Sequence, residues 1–154
     1  MYLIIDNNVV HCCVKRNDPD GTAIVDWVRQ TGQAVAGGGL LREYGGKNGN
    51  FDFVRLFNQL VSAGRALKWP DAEVDDRSSA LKNTAYLRSN DHDIIALAQV
   101  SGARALWSRD KNLRRDFSDK ALIDNPRGRM YFPEGNPKRR IAGLRAITRV
   151  CRKV

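Results

Sequence analysis

Short apolar runs alternate along this chain with longer stretches whose apolar residues return every three or four positions, and that alternation leaves few architectures open. Residues 2–5, 33–36, 66–69, 104–107 and 129–132 are brief, apolar or β-branched, and read as strands. Between them, residues 22–30, 40–44, 53–64, 71–87, 91–100 and 110–117 carry helical spacing. Thr22 is placed to cap the first of these helices, Ser89-Asn90-Asp91 offers cap chemistry for the fifth, and Gly102 closes it. Strands that take turns with helices predict an α/β domain with a mainly parallel central sheet.

Composition narrows the class further. A chain of 154 residues with 42% hydrophobic and 28% charged residues is expected to form a single domain with its own core, neither disordered nor fibrous. Its three cysteines, Cys12, Cys13 and Cys151, make neither a disulfide framework nor a zinc-ligand pattern, which points to a reducing compartment. The first residues lack a basic leader and reach an acid at Asp6, so neither a signal peptide nor a membrane span is expected and the reading is cytoplasmic.

The net charge of +9 is unevenly placed: residues 1–125 carry 17 Lys/Arg against 16 Asp/Glu, whereas residues 126–154 carry 9 against 1. This basic C-terminal extension holds a last helix with Ile141, Leu144, Ile147, Cys151 and Val154 on one stripe and Lys138, Arg145, Arg149 and Arg152 on another. A localised excess of this kind attracts a phosphate backbone; a solvated helix is the plain alternative.

In open parallel sheets ligands gather outside the carboxyl ends of the strands. Asp6 follows the first strand directly and Asp110 comes three residues after Trp107, so neighbouring strands would place both carboxylates on one rim. Asp91 and Glu43 can reach the same rim. Carboxylates that close repel one another unless a cation sits among them, and all-oxygen donors favour Mg²⁺ or Mn²⁺. Such chemistry requires no histidine or cysteine nucleophile, in keeping with only His11 and His92.

Four segments carry a resemblance: Ile4-Ile5-Asp6-Asn7-Asn8, Leu40-Leu41-Arg42-Glu43, Asn90-Asp91-His92-Asp93-Ile94-Ile95-Ala96-Leu97-Ala98, and Leu106-Trp107-Ser108-Arg109-Asp110-Lys111-Asn112-Leu113. In this order they resemble the PIN-domain nucleases, which include the toxins of bacterial toxin-antitoxin pairs. Asn7 and Asn8 stand where that family more often has small hydroxyl residues, and the basic tail is longer than in a minimal toxin. The resemblance implies a three-layer α/β/α fold, an acidic pocket for Mg²⁺ or Mn²⁺, endonucleolytic cleavage of RNA, a cognate antitoxin as a partner and a homodimer as an assembly. It implies Asp6, Asp91 and Asp110 as metal ligands and Glu43 as a fourth catalytic acid.

Several residues keep two readings. Asp110 is a helix cap as well as a ligand, and so is Asp91. Asp93 lies about 200° around a helix from Asp91, which makes it an outer residue of the site. Ser108 either orients a water or Asp110 through its hydroxyl or simply ends a strand, and Asn8 either holds Asp6 or the substrate or forms a plain turn. Arg109, Arg114 and Arg115 are backbone-phosphate contacts or ordinary surface charges. Asp116 reads as a surface acid, Asp26, Asp71, Glu73, Asp75 and Asp76 as helix-face charges, His92 as a surface histidine, the three tryptophans as core, and Cys12 and Cys13 as small buried hydrophobes. The rival to a nuclease is a non-catalytic nucleic-acid-binding module of the same fold; a hydrolase with Asp6 as nucleophile ranks below both, because Asn8 stands where its second aspartate belongs.

Overall fold

The computed structural model describes residues 1–152. Five strands, β1 (Leu3–Ile5), β2 (Ala34–Gly37), β3 (Ala66–Trp69), β4 (Ala105–Trp107) and β5 (Arg129–Tyr131), form one sheet in the order β3-β2-β1-β4-β5, every pair parallel. Eight helices connect and cover them: α1 (Val10–Val14), α2 (Pro19–Gln30), α3 (Gly38–Gly45), α4 (Phe51–Ser62), α5 (Asp71–Thr84), α6 (His92–Ser101), α7 (Lys111–Phe117) and α8 (Pro137–Arg152). Helices α1, α2 and α8 pack as one group and α3, α5 and α6 as another, an arrangement compatible with a three-layer α/β/α sandwich. None of these helices is long and apolar enough to cross a membrane.

Burial follows position in the sheet. Central strands β1 and β4 are buried along their whole length, whereas the edge strand β3 leaves Leu67 and Lys68 exposed. Helix α6 buries Ile94 through Ala98 without interruption, as expected of a helix enclosed on every side. Helix α2 starts earlier than its sequence pattern indicates. Asp18, not Thr22, is the cap: its carboxylate accepts the amides of Asp20 and Gly21, and Pro19 occupies the first turn. Gly21 lets α2 pass close against α1, since a Cβ there would fall 1.7 Å from the Cys12 carbonyl oxygen.

Several of the expectations need correction. The 3₁₀ turn at Asn7–Val9 and helix α1 have no counterpart among the expected helices, because each is too short to show a period. Helix α5 ends at Thr84 rather than 87, and residues after it turn toward a buried carboxylate described below. Trp69 is only partly buried, its indole N–H donating to Glu73 at 2.8 Å. Asp71 and Asp75 are solvent-facing charges on a face of α5, as expected, and each also has a partner: Asp71 accepts the Gly38 amide at 2.7 Å, fixing the start of α3, and Asp75 pairs with Arg42 at 2.8 Å. Along α8, Ile147 and Val150 are the buried residues while Ile141 is 53% exposed; Val154 lies outside the described residues. Cys12 is buried and Cys13 partly so.

Candidate metal centre

The strand order reverses direction at β1: β2 lies on one side of it and β4, reached only after two further crossovers, on the other. A crevice at the carboxyl ends of β1 and β4 is the topological consequence. Residues Ile5 and Trp107 are register partners, so Asp6 and Ser108 leave the sheet side by side, and the Asp6 amide donates to the Trp107 carbonyl at 2.9 Å.

Ser108 organises this rim. Fully buried, it donates its hydroxyl hydrogen to Asp6 Oδ2 at 2.5 Å, and its oxygen accepts from the Asp110 amide at 3.0 Å and from Asn8 Nδ2 at 3.3 Å. One donated and two accepted bonds use the whole capacity of a hydroxyl. Asn8 closes the ring by accepting the Arg109 amide at 3.3 Å. The sequence left Ser108 and Asn8 between a structural and a site role; the geometry makes both supports of Asp6 and Asp110. From the other side the Tyr44 hydroxyl donates to the Ile5 carbonyl and anchors the end of β1.

The acids themselves differ in how much of each is spoken for. Asp6 is 7% exposed, and burial pushes its carboxyl above the ordinary range despite the Ser108 bond and the amides of Asn8 and Asn7. Asp110 does cap α7: one oxygen, Oδ1, accepts the Leu113 amide at 2.9 Å. Asp91 stands at the cap position of α6 but its side chain caps nothing. Burial, then the charges of Asp6, Asp93, Asp110 and Glu43 in that order, push its carboxyl up to about 7. Glu43 is raised by burial and then by Asp93 and Asp6. Five carboxylates from four segments of the chain thus share one electrostatic neighbourhood.

Asp93 lies nearer to its neighbours than helical angles indicate. Asp91, with φ −90° and ψ 54°, precedes the helix, so the rotation per residue that would separate the two does not apply. Both line a cleft of about 380 Å³ together with Gly39, Arg42, Glu43 and Asn90. A Cβ at Gly39 would meet Asp93 Oδ2 at 2.6 Å, so a side chain there would displace that carboxylate. Burial raises the Asp93 carboxyl, with Lys82 and Arg42 as the nearby cations that oppose it. His92 is partly exposed, one ring nitrogen 3.3 Å from the Asn90 carbonyl.

Asp116 overturns its reading as a surface acid. It is fully buried and accepts the Ser89 amide at 2.8 Å, the Ser89 hydroxyl at 2.9 Å, the Arg88 amide at 3.0 Å and the Arg88 guanidinium at 3.2 Å. Ser89 Oγ in turn accepts the Asp91 amide at 3.4 Å, so α7 holds the loop that delivers Asp91. A signal was present: Asp116 lies three residues after Leu113 and beside Phe117, on the apolar face of its helix.

Of the arginines expected to hold phosphates, Arg109 turns toward α1, its guanidinium 3.4 Å from Cys12 Sγ. Arg114 stacks on Phe132 and Arg115 is exposed. Lys138, Arg145 and Arg149 are exposed on α8 and are not among the residues lining the acidic cleft.

Among the described residues no three acidic, histidine or cysteine side chains stand close enough to enclose an ion as they are. The donor set nevertheless suits a hard divalent cation: it is all oxygen, partly desolvated, and mutually repulsive, as the upward pull on Asp6, Glu43 and Asp91 records. Mg²⁺ in particular keeps several waters and is commonly held by one or two carboxylates plus substrate phosphates. No protein-family model matches the sequence, and no curated protein matches it.

Proposed function

We propose that the chain is a Mg²⁺- or Mn²⁺-dependent endoribonuclease with a PIN-like site. The observation that carries this reading is the meeting of Asp6 and the Ser108–Asp110 segment at the switch point of a parallel sheet, with the uncapped carboxylate of Asp91 pushed up by the same acids. Asp6, Asp91 and Asp110 would hold the ion and Glu43 would position a water or a ligand. When bound, a divalent ion offsets the acids' repulsion, polarises a phosphodiester and makes a bound water a better nucleophile at neutral pH.

The chain's own part is orientation. Ser108 aims Asp6 Oδ2 and fixes the backbone at Asp110, whose second oxygen is left outside the helix cap. Asp116, through Ser89, sets the approach of Asp91. The test is cleavage of single-stranded RNA by the full chain with Mg²⁺ or Mn²⁺. Asp6→Asn and Asp110→Asn keep the side-chain shape and one acceptor oxygen, able to take the Ser108 hydroxyl in one case and the Leu113 amide in the other, so both are expected to fold and to lose chelator-sensitive cleavage. Undiminished cleavage in either variant refutes the assignment.

A second reading, a binding module without catalysis, is favoured by cations that cluster away from the acids. RNA binding that survives chelation, with no cleavage under either metal, selects it.

A further inference from the structure

A groove of about 750 Å³ runs between α7, β5 and α8, apart from the acidic cleft. Lys111, Arg114, Arg115 and Arg139 line it, with Met130 and Phe132, and no acidic side chain does. Among the described residues Lys111, Arg114 and Arg115 form no salt bridge; only Arg139 has a partner, Glu134. The Arg114 guanidinium carbon lies over the Phe132 ring, 3.5 Å from its centroid, and the buried Nε has no hydrogen-bond partner among the described residues. A groove lined by four cationic side chains, three of them without an acidic partner among the described residues, attracts an anionic ligand.

The groove opens on the same rim as the acids. Ile5, Trp107 and Tyr131 are in register across β1, β4 and β5, so Phe132 follows β5 as Asp6 follows β1, two strand spacings or about 10 Å away. Lys111 is the residue after Asp110, and α7 carries the cations about 6 Å onward from there to Arg115.

We propose that this groove binds single-stranded RNA, with Lys111, Arg115 and Arg139 on phosphates and the Phe132–Arg114 stack as a platform for an unpaired base. Cations beside an aromatic face are the chemistry that single strands use, whereas a duplex keeps its base faces stacked and out of reach. The direction of the strand, toward the acidic cleft, rests on the nuclease reading; the binding itself does not.

The experiment measures fluorescence anisotropy of a labelled single-stranded oligo(U) with the full chain in EDTA, so that loss of cleavage and loss of binding stay separate. The combined substitution Lys111→Gln, Arg115→Gln and Arg139→Gln is expected to weaken binding at least about tenfold and to flatten the slope of log affinity against log salt by about 2. Phe132→Leu is expected to cost about tenfold with little change in that slope. Removing the same number of charges at the opposite edge, Arg55→Gln, Arg65→Gln and Lys68→Gln, is expected to cost less than about threefold. Melting temperatures confirm folding of each variant. Equal loss from both triple variants, no loss from the groove variant, a duplex bound as tightly as the single strand, or poly-glutamate competing as well as RNA would each overturn the proposal, the last in favour of an acidic protein partner.

Discussion

Neutralising Asp91 should stabilise the protein. Its carboxyl is pushed up to about 7, first by burial and then by Asp6, Asp93, Asp110 and Glu43. In the unfolded chain the same group titrates near 4. Between those values the folded state holds a proton that the unfolded state has released, so this group's contribution is full below about pH 4 and is lost as the pH rises through 7. At about 1.36 kcal/mol per pKa unit the separation corresponds to roughly 4 kcal/mol, which partial exposure to water reduces to about 1–3 kcal/mol.

Asp91→Asn removes the charge and sacrifices no hydrogen bond, since the side chain caps nothing and the Asp91 carbonyl still accepts from Ile94 and Ile95. In EDTA at pH 8 the variant is therefore expected to gain about 1–3 kcal/mol, or about 2–4 °C in Tm for each kcal/mol. The gain should shrink toward zero at pH 4. The assay is urea unfolding of parent and variant at both pH values, repeated with Mn²⁺, which should stabilise the parent more than the variant by mass action. A variant less stable than the parent at pH 8, or equal stabilisation of both by Mn²⁺, would refute the reasoning.

Ser108→Ala leaves Asp6, Asn8 and the Asp110 amide without their shared partner; a loss of about 1–3 kcal/mol in urea unfolding and a 10- to 100-fold fall in metal-dependent cleavage are expected. Asp116→Ala strips a buried acceptor from four donors on Arg88 and Ser89, and thermal unfolding should show about 3–5 kcal/mol of lost stability. Gly21→Ala drives a methyl into the Cys12 carbonyl and should cost about 3 kcal/mol or more; unchanged stability would show that α1 and α2 can separate freely.

Much of the sheet was legible because its signals are local. Ala66–Trp69 emerges with the boundaries its apolar run indicates, and the other four strands within a residue or so, since a buried parallel strand must be a short apolar run wherever it sits. Local spacing also finds α4 and α6. It fails at α1, whose five residues are too few for a period, and at the start of α2, where Asp18-Pro19 is a stronger cap than Thr22. It fails again at Asp116, because burial of a charge depends on which donors the rest of the chain brings to it.

By itself the sequence determined the alternation of strand and helix, the candidate acids and the concentration of positive charge near the end of the chain, all of which are written in neighbouring residues. Strand order, and with it the meeting of Asp6 with Ser108 across 102 positions of chain, was decided only in three dimensions. So was the choice of which cations face a groove: Arg139 lines it while Lys138, Arg145 and Arg149 do not. The physical reason is that hydrogen bonds, burial and charge repulsion act through space, and helical spacing says which residues share a face but not what that face meets.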